Sequence, residues 1–378
     1  MNIEFEASMK KNNYDVVIVG SGAAACVLAL QLSQSGKKVL ILERTSGVAR
    51  NGADIIKPPA LRILERANIL PVLYSRQARK RTELDVFHDG VKVQAVDYGD
   101  DYYLISPHRI LLTALKDRLV RSPGVKMVFN TSIASIERRG DEIVSATTTS
   151  GDVITASIFV GADGARSMMR DLASIDSHAE IYPQKLYYRV CPVQPSVEER
   201  NRLYLGSRGE LAYFYPLTGK ECAVVLGFEP DQGESLITAN DWSLQQTLRR
   251  FVSCSEDIVR ELPSLRNFMG RPVYASHVAS YGRGNIVLLG DALHTVHPIT
   301  GQGMNLSIED ADCLHDCIIN HLDSAEDLSS MIQKYESLRM PVNEQIVSYG
   351  DRLIRSLGST ETFQAALDSR LQAAARAS

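Results

Sequence analysis

The first fifty residues alternate between short apolar runs and a helix-patterned segment. Residues 14–19 read YDVVIV, and this run of β-branched residues is typical of a fully buried parallel strand. The turn GSGAAA follows at 20–25, and a helical pattern then extends from Cys26 to Ser35. A second apolar run, residues 38–42, leads directly to Glu43. The order strand, glycine turn, helix and strand predicts a β–α–β unit.

The turn of this unit has the residues of a dinucleotide-binding loop. Gly20 permits a tight turn, Gly22 lets the backbone approach a pyrophosphate, and Ala25 allows the helix to pack closely on the strand. The free N–H groups at the helix N-terminus favour phosphate. Glu43 lies 21 residues after Gly22, the spacing expected of a carboxylate that binds ribose hydroxyls. The unit predicts a dinucleotide site without separating NAD from FAD.

Two later segments favour FAD. Residues 158–167 (IFVGADGARS) and 285–305 (NIVLLGDALHTVHPITGQGMN) are apolar runs that lead to Asp163 and Asp291, and the second continues into a glycine-rich turn and a helix. A carboxylate after a strand can accept hydrogen bonds from a polyol chain, and helix N–H groups stabilise negative charge on a reduced ring. A nicotinamide cofactor has no polyol chain. Taken alone, each Gly-Asp pair is more typical of a plain turn.

Composition and charge exclude several other classes of protein. Hydrophobic residues make up 44% of the 378 residues, which is ordinary for a globular chain, and the net charge of −4 gives no basic excess for nucleic acid. The longest apolar runs, such as residues 286–289, are far shorter than the ~20 residues of a membrane span. Residues 1–13 have no apolar core of a signal peptide. We expect a cytoplasmic protein with no nucleic-acid partner and no transmembrane segment.

The six cysteines are sparse and form no CxxC pair. Neither a disulfide framework nor a zinc site is therefore expected. Cys313 and Cys317 lie four residues apart, a spacing that one buried face of a helix explains better than a metal. We expect no metal site.

Three ordered motifs carry a family resemblance. GSGAAA with Glu43, GADGARS at 161–167 and GDALHTVHPITGQGMN at 290–305 resemble the fingerprints of the single-component FAD-dependent aromatic hydroxylases related to para-hydroxybenzoate hydroxylase. The wording TVHPITGQG most resembles the ubiquinone-biosynthesis branch, and the resemblance spans residues 14–355. It implies an α/β fold with a Rossmann-like FAD-binding domain on a parallel sheet, an antiparallel β-sheet substrate domain and C-terminal helices.

The two domains are expected to interleave along the chain. A hairpin is predicted at 84–96 around His88-Asp89-Gly90, and further strands at 186–193, 211–215 and 221–228. With the resemblance, these strands form the substrate domain. The expected division is 1–82, 105–178 and 270–330 for the FAD-binding domain, 83–104 and 179–269 for the substrate domain, and 331–378 for the C-terminal helices.

The resemblance also implies which residues bind FAD. Gly20, Gly22 and Glu43 would hold the ADP half, together with the adjacent Ala23, Ala24 and Arg44. Arg50 matches an arginine near the pyrophosphate and the nicotinamide co-substrate, and Arg109 one that opens a helix beside the flavin. Asp163 resembles the aspartate of the shared FAD and NAD(P)H motif, and Asp291 the ribityl-binding carboxylate. Around the flavin ring the implied residues are Pro298, Gly301, Gln302, Gly303, Met304 and Asn305.

The implied activity is aromatic hydroxylation. NADH or NADPH reduces FAD, O2 adds at the flavin C4a position, and the hydroperoxide delivers a hydroxyl group to an aromatic or quinone-like small molecule. The alternative on the same fold is an FAD-dependent reductase or oxidase of a lipid or polyketide-like substrate, and the oxygen dependence of product formation separates the two. A peripheral membrane contact stays open, and the sequence does not predict the oligomeric state.

No catalytic residue is assigned from the sequence. His294 and His297 lie near the flavin loop, but structural hydrogen bonding explains them better. Packing in the sheet likewise explains the polar residues on the substrate-domain strands better than substrate contact does. These residues are Tyr187, Tyr188, Arg189, Tyr213 and Tyr215.

Two features depart from the family pattern or stand outside it. Leu293 replaces the usual second alanine of the Gly-Asp-Ala-Ala-His run, a change expected to crowd the flavin site. Residues 360–378 carry Phe363, Leu367 and Leu371 at helical spacing. We expect this segment to pack on the FAD-binding domain, with membrane contact as the alternative.

Overall fold

The computed structural model describes residues 12–47, 54–97, 101–198, 200–324 and 327–366. In chain order the strands are β1 (Asn12–Val19), β2 (Val39–Glu43), β3 (Ile55–Ile56), β4 (Arg79–Arg81), β5 (Glu83–His88), β6 (Val91–Asp97), β7 (Tyr103–Ile105), β8 (Val125–Phe129), β9 (Ile133–Arg139), β10 (Glu142–Thr148), β11 (Val153–Gly161), β12 (Ser177–Pro192), β13 (Asn201–Leu205), β14 (Leu211–Pro216), β15 (Glu221–Phe228), β16 (Met269–Val278), β17 (Gly282–Arg283) and β18 (Ile286–Leu288). The helices are α1 (Ala23–Gln34), α2 (Pro58–Arg66), α3 (Leu70–Ser75), α4 (His108–Val120), α5 (Met168–Leu172), α6 (Pro195–Glu198), α7 (Pro230–Thr238), α8 (Asp241–Leu248), α9 (Glu256–Glu261), α10 (Gly303–Ser324) and α11 (Leu328–Arg355).

The first sheet has a parallel core in the order β18-β11-β1-β2-β8, extended by β17 and by the antiparallel strands β9 and β10. The chain adds β2 and β8 on one side of β1 and later adds β11 and β18 on the other. The strand order therefore reverses between β1 and β11, and such a reversal leaves a ligand-binding crevice at the carboxyl ends of the strands.

Burial explains the unbroken apolar runs of this sheet. Residues 16–18 of β1 and Ile286–Leu288 of β18 are completely buried. Helix α1 contacts β1, β2, α4 and α10, so almost every side chain from Ala23 to Leu32 is buried. A helix that is apolar on all sides is one that protein surrounds. The predicted β–α–β unit is confirmed.

The second sheet is largely antiparallel, in the order β16-β12-β15-β14-β13-β5-β6. The predicted hairpin is confirmed as β5 and β6, joined at Asp89 and Gly90, both with positive φ. Helices α6–α9 cover one face of this sheet, where Tyr187, Phe214 and Leu226 are buried. The opposite face, called the inner face below, carries Leu186, Tyr188, Tyr213, Tyr215 and Val225.

Strand β16 extends the second sheet further along the chain than expected. Met269–Val278 pairs antiparallel with β12, so the sheet continues past the expected boundary at residue 270. A small third sheet, in the order β3-β7-β4, is formed by strands within residues 55–105. The fold is α/β with a parallel sheet, an antiparallel sheet and C-terminal helices, as predicted.

The segment after α11 packs against the antiparallel sheet. Buried His88 at the end of β5 contacts the Thr360 hydroxyl through Nδ1 at 2.7 Å and the Leu357 carbonyl through Nε2 at 2.8 Å. Phe363 is fully buried and stacks on the His88 ring, with the centroids 5.4 Å apart. The expectation that this segment packs on the FAD-binding domain is wrong for residues 360–366. Thr360 and Phe363 instead contact the buried His88 ring of the antiparallel sheet. Leu367 and Leu371 lie outside the described residues.

Two features of the described residues concern membranes and metals. No helix among them is both long and apolar enough to span a bilayer. In the same part of the chain, no three His, Cys, Asp or Glu side chains are grouped so that they could hold a metal ion.

Candidate active site

One cavity of about 1130 Å³ extends from the carboxyl edge of the parallel sheet to the inner face of the antiparallel sheet. Most of the residues that the resemblance implied for FAD line it. These are Gly20, Gly22, Ala23, Ala24, Glu43, Arg44, Asp163, Asp291, Pro298, Gly301, Gln302, Gly303 and Met304. Arg109 and Asn305 are not part of this lining, and Arg50 lies outside the described residues.

The turn after β1 has the backbone that close approach to a phosphate needs. Gly20 has φ +107°, and a Cβ there would lie 2.1 Å from the Ala162 carbonyl oxygen. A Cβ at Gly22 would meet nothing within 4 Å, because that position faces the open cavity. Gly22 caps α1 without a side-chain hydrogen bond, so the first N–H groups of the helix are available to an anion.

Glu43 lies at the end of β2, beside this turn. Its carboxylate accepts hydrogen bonds from the Ser21 hydroxyl at 2.8 Å and from the Thr45 N–H and hydroxyl at 2.8 and 2.7 Å. Partial burial opposes ionisation, but these bonds and the charge of Lys116 lower the pKa of Glu43 below its usual value. Glu43 therefore presents a fixed anionic acceptor at this end of the cavity.

Asp291 provides a second carboxylate after β18. Its side chain is exposed to the cavity, while the protein that surrounds the cavity raises its pKa and the charge of His294 opposes that shift. Strands β18 and β2 are three strand spacings apart, so the two strands themselves lie about 14 Å apart across the sheet. A dinucleotide bound across this edge would meet one carboxylate near each end.

The segment from Pro298 to Asn305 is fixed by hydrogen bonds from outside itself. Lys57 Nζ donates to the Thr300 carbonyl at 2.9 Å, and the Lys57 N–H donates to Asn305 Oδ1 at 2.8 Å. Asn305 Nδ2 in turn donates to the Gly301 and Ile55 carbonyls, both at 3.1 Å. Asn305 thus shapes the segment from behind, while the residues up to Met304 face the cavity.

Asp163 and Arg109 both interact with other residues of the protein. Asp163 accepts hydrogen bonds from the Ser167 hydroxyl at 2.5 Å and the Met169 N–H at 3.1 Å, so it caps the start of α5 beside the cavity. Burial raises its pKa. Arg109 is exposed in the first turn of α4. Burial raises the pKa of nearby Asp54, and the charge of Arg109 opposes that rise.

The two histidines near the segment from Pro298 to Asn305 make structural contacts. His294 Nε2 lies 2.6 Å from Asp310 Oδ2, and Asp310 also accepts a hydrogen bond from Arg339 Nε at 2.6 Å. His297 Nδ1 accepts from the Ile299 N–H at 3.1 Å, and burial lowers its pKa to about 4. Leu293 packs in the main core and not in the cavity lining, so the expected crowding of the flavin site is not produced there.

The sequence analysis missed a buried carboxyl in the cavity, Asp54. Asp54 Oδ1 accepts from the His108 N–H at 3.0 Å, and Oδ2 accepts from the hydroxyls of Tyr215 at 3.0 Å and Tyr188 at 3.3 Å. Burial raises its pKa to about 6, against the effect of these hydrogen bonds. No motif surrounds Asp54, so its role depends on the fold alone.

The inner-face tyrosines differ from the sequence expectation. Tyr188, Tyr213 and Tyr215 line the cavity, whereas the prediction favoured packing for them. Tyr187 is buried under the covering helices, and Arg189 donates to the Asn267 carbonyl at 2.8 Å. The remaining lining of this half of the cavity is mostly apolar. It includes Leu84, Val86, Leu186, Leu203, Leu205, Leu211, Val225, Leu353 and Phe363.

Comparison with known proteins gives a consistent family. A model described as an FAD binding domain matches residues 13–349. The 3-demethoxyubiquinol 3-hydroxylase of Escherichia coli is 25% identical over 352 residues, which cover 87% of this chain and 86% of that protein. The kynurenine 3-monooxygenase of Salinispora tropica is 27% identical over 372 residues, which cover 88% of this chain and 78% of that protein.

Solved structures agree with these relatives. PqsL, a probable FAD-dependent monooxygenase from Pseudomonas aeruginosa, superposes with a TM-score of 0.90 at 35% identity, over 94% of this chain and 100% of that one. The 2-methyl-3-hydroxypyridine-5-carboxylic acid oxygenase shares the fold, with a TM-score of 0.77 at 20% identity over 94% of this chain and 95% of that one. The chain therefore belongs to the FAD-binding-domain family of flavin-dependent aromatic hydroxylases and is a flavoprotein monooxygenase.

Proposed function

We propose that this monooxygenase hydroxylates an aromatic or quinone-like small molecule between the segment 298–304 and the inner face. One observation carries the proposal: a single cavity has the dinucleotide-binding edge as one wall and Tyr188, Tyr213 and Tyr215 on the other. The structure of PqsL in complex with 2-aminobenzoylacetate, an aromatic compound, supports an aromatic substrate on this fold.

The residues of the cavity fit the parts of FAD. In the proposed complex the N-terminus of α1 binds the pyrophosphate, Glu43 the ribose of the ADP half and Asp291 the ribityl chain. When bound and reduced by NADH or NADPH, the reductants typical of this family, FAD supplies the electrons and, with O2, the oxygen atom that enters the substrate. The two flanking carboxylates and the open space at Gly22 support this assignment.

The other residues of the chain contribute positioning and exclusion of water. The segment 298–304 and the inner face enclose the substrate from two sides, and leucine and valine side chains occupy much of the second wall. An apolar enclosure protects a reactive oxygen species from hydrolysis and holds the ring close to the cofactor.

The test is isotopic. FAD-loaded protein is supplied with NADH or NADPH, a panel of phenols, anilines and hydroquinones, and 18O2. The expected product carries one 18O atom, and oxygen uptake matches product formation. A product that forms equally well without oxygen would instead identify a reductase.

We also propose that the enzyme acts in the cytoplasm, where reduced nicotinamide cofactors are supplied. The test is fractionation of cells that produce the untagged chain. Recovery with the membrane fraction, released only by detergent, would contradict the proposal and support a lipid-associated substrate.

A further inference from the structure

The inner face changes character along strand β14. Leu211, Tyr213 and Tyr215 alternate toward the cavity, so the strand begins with an apolar residue and ends with tyrosines. At about 3.4 Å per residue, Leu211 and Tyr215 are ~14 Å apart. Their neighbours follow the same division, since Leu205 pairs with Leu211, whereas Tyr215 belongs to the cluster of Tyr188 and Tyr103. The substrate half of the cavity thus has a mainly apolar end, where Gln94 opposite Val86 is a polar exception, and a polar end.

The C-terminal segment closes the apolar end. Phe363 and Leu353 line the cavity and pack with Val86, Leu205 and Leu211 in one apolar cluster. The hydrogen bonds of His88 to Thr360 and Leu357 hold this segment against β5. The Phe363 ring therefore forms an end wall beyond the leucines of the inner face.

At the polar end, Asp54 can accept one more hydrogen bond. A carboxylate has about four lone-pair positions. Three are used by the His108 N–H and the hydroxyls of Tyr188 and Tyr215. Both tyrosine oxygens can also accept a hydrogen bond while they donate to Asp54. A donor on the substrate thus finds a buried acceptor group here.

We propose that the substrate is an elongated amphipathic aromatic compound, with a ring hydroxyl or amino group at Asp54 and its two tyrosines and an apolar chain directed toward Phe363. The inference rests on the proposed function and adds the substrate class. The ring O–H or N–H donates to the carboxylate directly or through a tyrosine hydroxyl. If the proton of a ring hydroxyl moves, it passes from the substrate oxygen to the Asp54 carboxylate, and no other bond changes; an amino group only donates a hydrogen bond. The pKa of about 6 leaves Asp54 ionised at neutral pH and able to accept it.

Binding of two matched series to the FAD-loaded protein tests both ends. The probes are 4-n-alkylphenols from ethyl to octyl and the corresponding 4-n-alkylanisoles, and the readout is the dissociation constant from the change in flavin absorption. We expect affinity to rise about fourfold per methylene up to a limiting length and then to fall. Each phenol should bind at least tenfold more tightly than its methyl ether. Affinity independent of chain length, or equal for phenol and ether, would overturn the proposal.

Substitutions locate the two ends. Phe363→Ala should move the optimum to a chain two or three carbons longer. Leu357→Ala is the matched control, because Leu357 is buried in the same segment but does not line the cavity, and its optimum should stay at the wild-type length. An unchanged optimum in Phe363→Ala would contradict the end wall. Thermal unfolding and FAD content verify that both variants are folded.

Asp54→Asn should abolish the preference for phenol over ether and leave the dependence on chain length intact. Tyr215→Phe, which removes only a hydroxyl, should reduce the preference severalfold and serves if the first variant does not fold. A phenol preference that survives both substitutions would refute the polar end. Because binding is measured without turnover, these results are separate from 18O incorporation, which alone decides the proposed function.

Discussion

Gly20 and Gly22 are two residues apart, yet they tolerate a side chain very differently. Gly20 combines φ +107° with a carbonyl oxygen 2.1 Å from the position of a Cβ. Gly22 has φ −68° and ψ 178°, which any residue adopts, and open space where its Cβ would be. The fold requires a glycine at position 20, whereas at position 22 only the proposed cofactor would require one.

This difference predicts opposite results for two alanine substitutions. Gly20→Ala should lower the free energy of unfolding of FAD-free protein by about 3 kcal/mol or more, because backbone strain adds to the clash. Gly22→Ala should leave that stability within about 0.5 kcal/mol of wild type and weaken FAD binding about tenfold or more, since the methyl group enters the cavity. Chemical unfolding and fluorescence titration with FAD measure the two effects. Equal stability of the two variants would contradict this account.

Single residues also show the limit of reasoning from sequence. Gly20, Glu43 and Asp291 could be predicted because each stands in a local motif whose spacing has a chemical reason. Asp54 has no such motif. Its partners Tyr188 and Tyr215 are more than 130 residues away in the chain, and only the packing of the two sheets brings them together.

At the scale of elements, the segment Gly290–Asn305 is fixed by buried side chains, among them His297. The neutral ring accepts the Ile299 N–H through Nδ1, and its edge meets Tyr182 with the ring centroids 4.7 Å apart. Burial lowers the pKa of His297 from 6.5 to about 4, against the charge of Asp351. The segment that would hold the flavin therefore depends on an uncharged imidazole.

The free energy of unfolding should consequently decrease as the pH is lowered through a defined range. Between pH 6.5 and about 4 the unfolded chain binds a proton at His297 that the folded protein does not, so lower pH favours unfolding, by up to about 3 kcal/mol for this group. His297→Asn keeps an acceptor for Ile299 and removes the titration. Urea unfolding at pH 7.0 and 4.5 should show a smaller loss in this variant than in wild type. His277→Asn, at an exposed position, should retain the full loss, and equal losses in all three proteins would contradict the prediction.

Elements differed in how well their pattern could be interpreted. The hairpin and the strands β14 and β15 were predicted almost to the residue, because turns and β-branched runs mark them. Which face of β14 would line the site could not be predicted. Leu211, Tyr213 and Tyr215 face the cavity and Ala212 and Phe214 face the covering helices, so both faces are covered and no polar alternation distinguishes them.

At the scale of the molecule, the cavity lies between the two sheets. Its lining extends from Val19 to Phe363 and includes residues of both sheets, of the segment 298–304 and of the C-terminal segment. A ligand that fills this cavity stabilises the folded protein, including both sheets, because it binds the folded state and not the unfolded chain.

Removal of FAD should therefore lower the thermal stability of the whole protein. At a free FAD concentration of 100 times the dissociation constant, the cofactor contributes about 2.7 kcal/mol, which for a chain of 378 residues corresponds to a Tm lower by roughly 3–4 °C without it. Differential scanning fluorimetry of stripped and reloaded protein measures the shift. FMN, which lacks the ADP half, should restore only part of the Tm. Full restoration by FMN would show that the Gly22 and Glu43 end contributes nothing.

The position of β1 has a consequence for biosynthesis. This strand lies in the middle of the parallel sheet, but one of its two neighbours, β11, is paired through Asn12 and Ile154, roughly 140 residues later. At about 5–20 residues per second, a ribosome needs some 7–30 s to make that stretch. During this time one long edge of a highly apolar strand has no partner, so the nascent chain depends on transient protection until translation has passed β11.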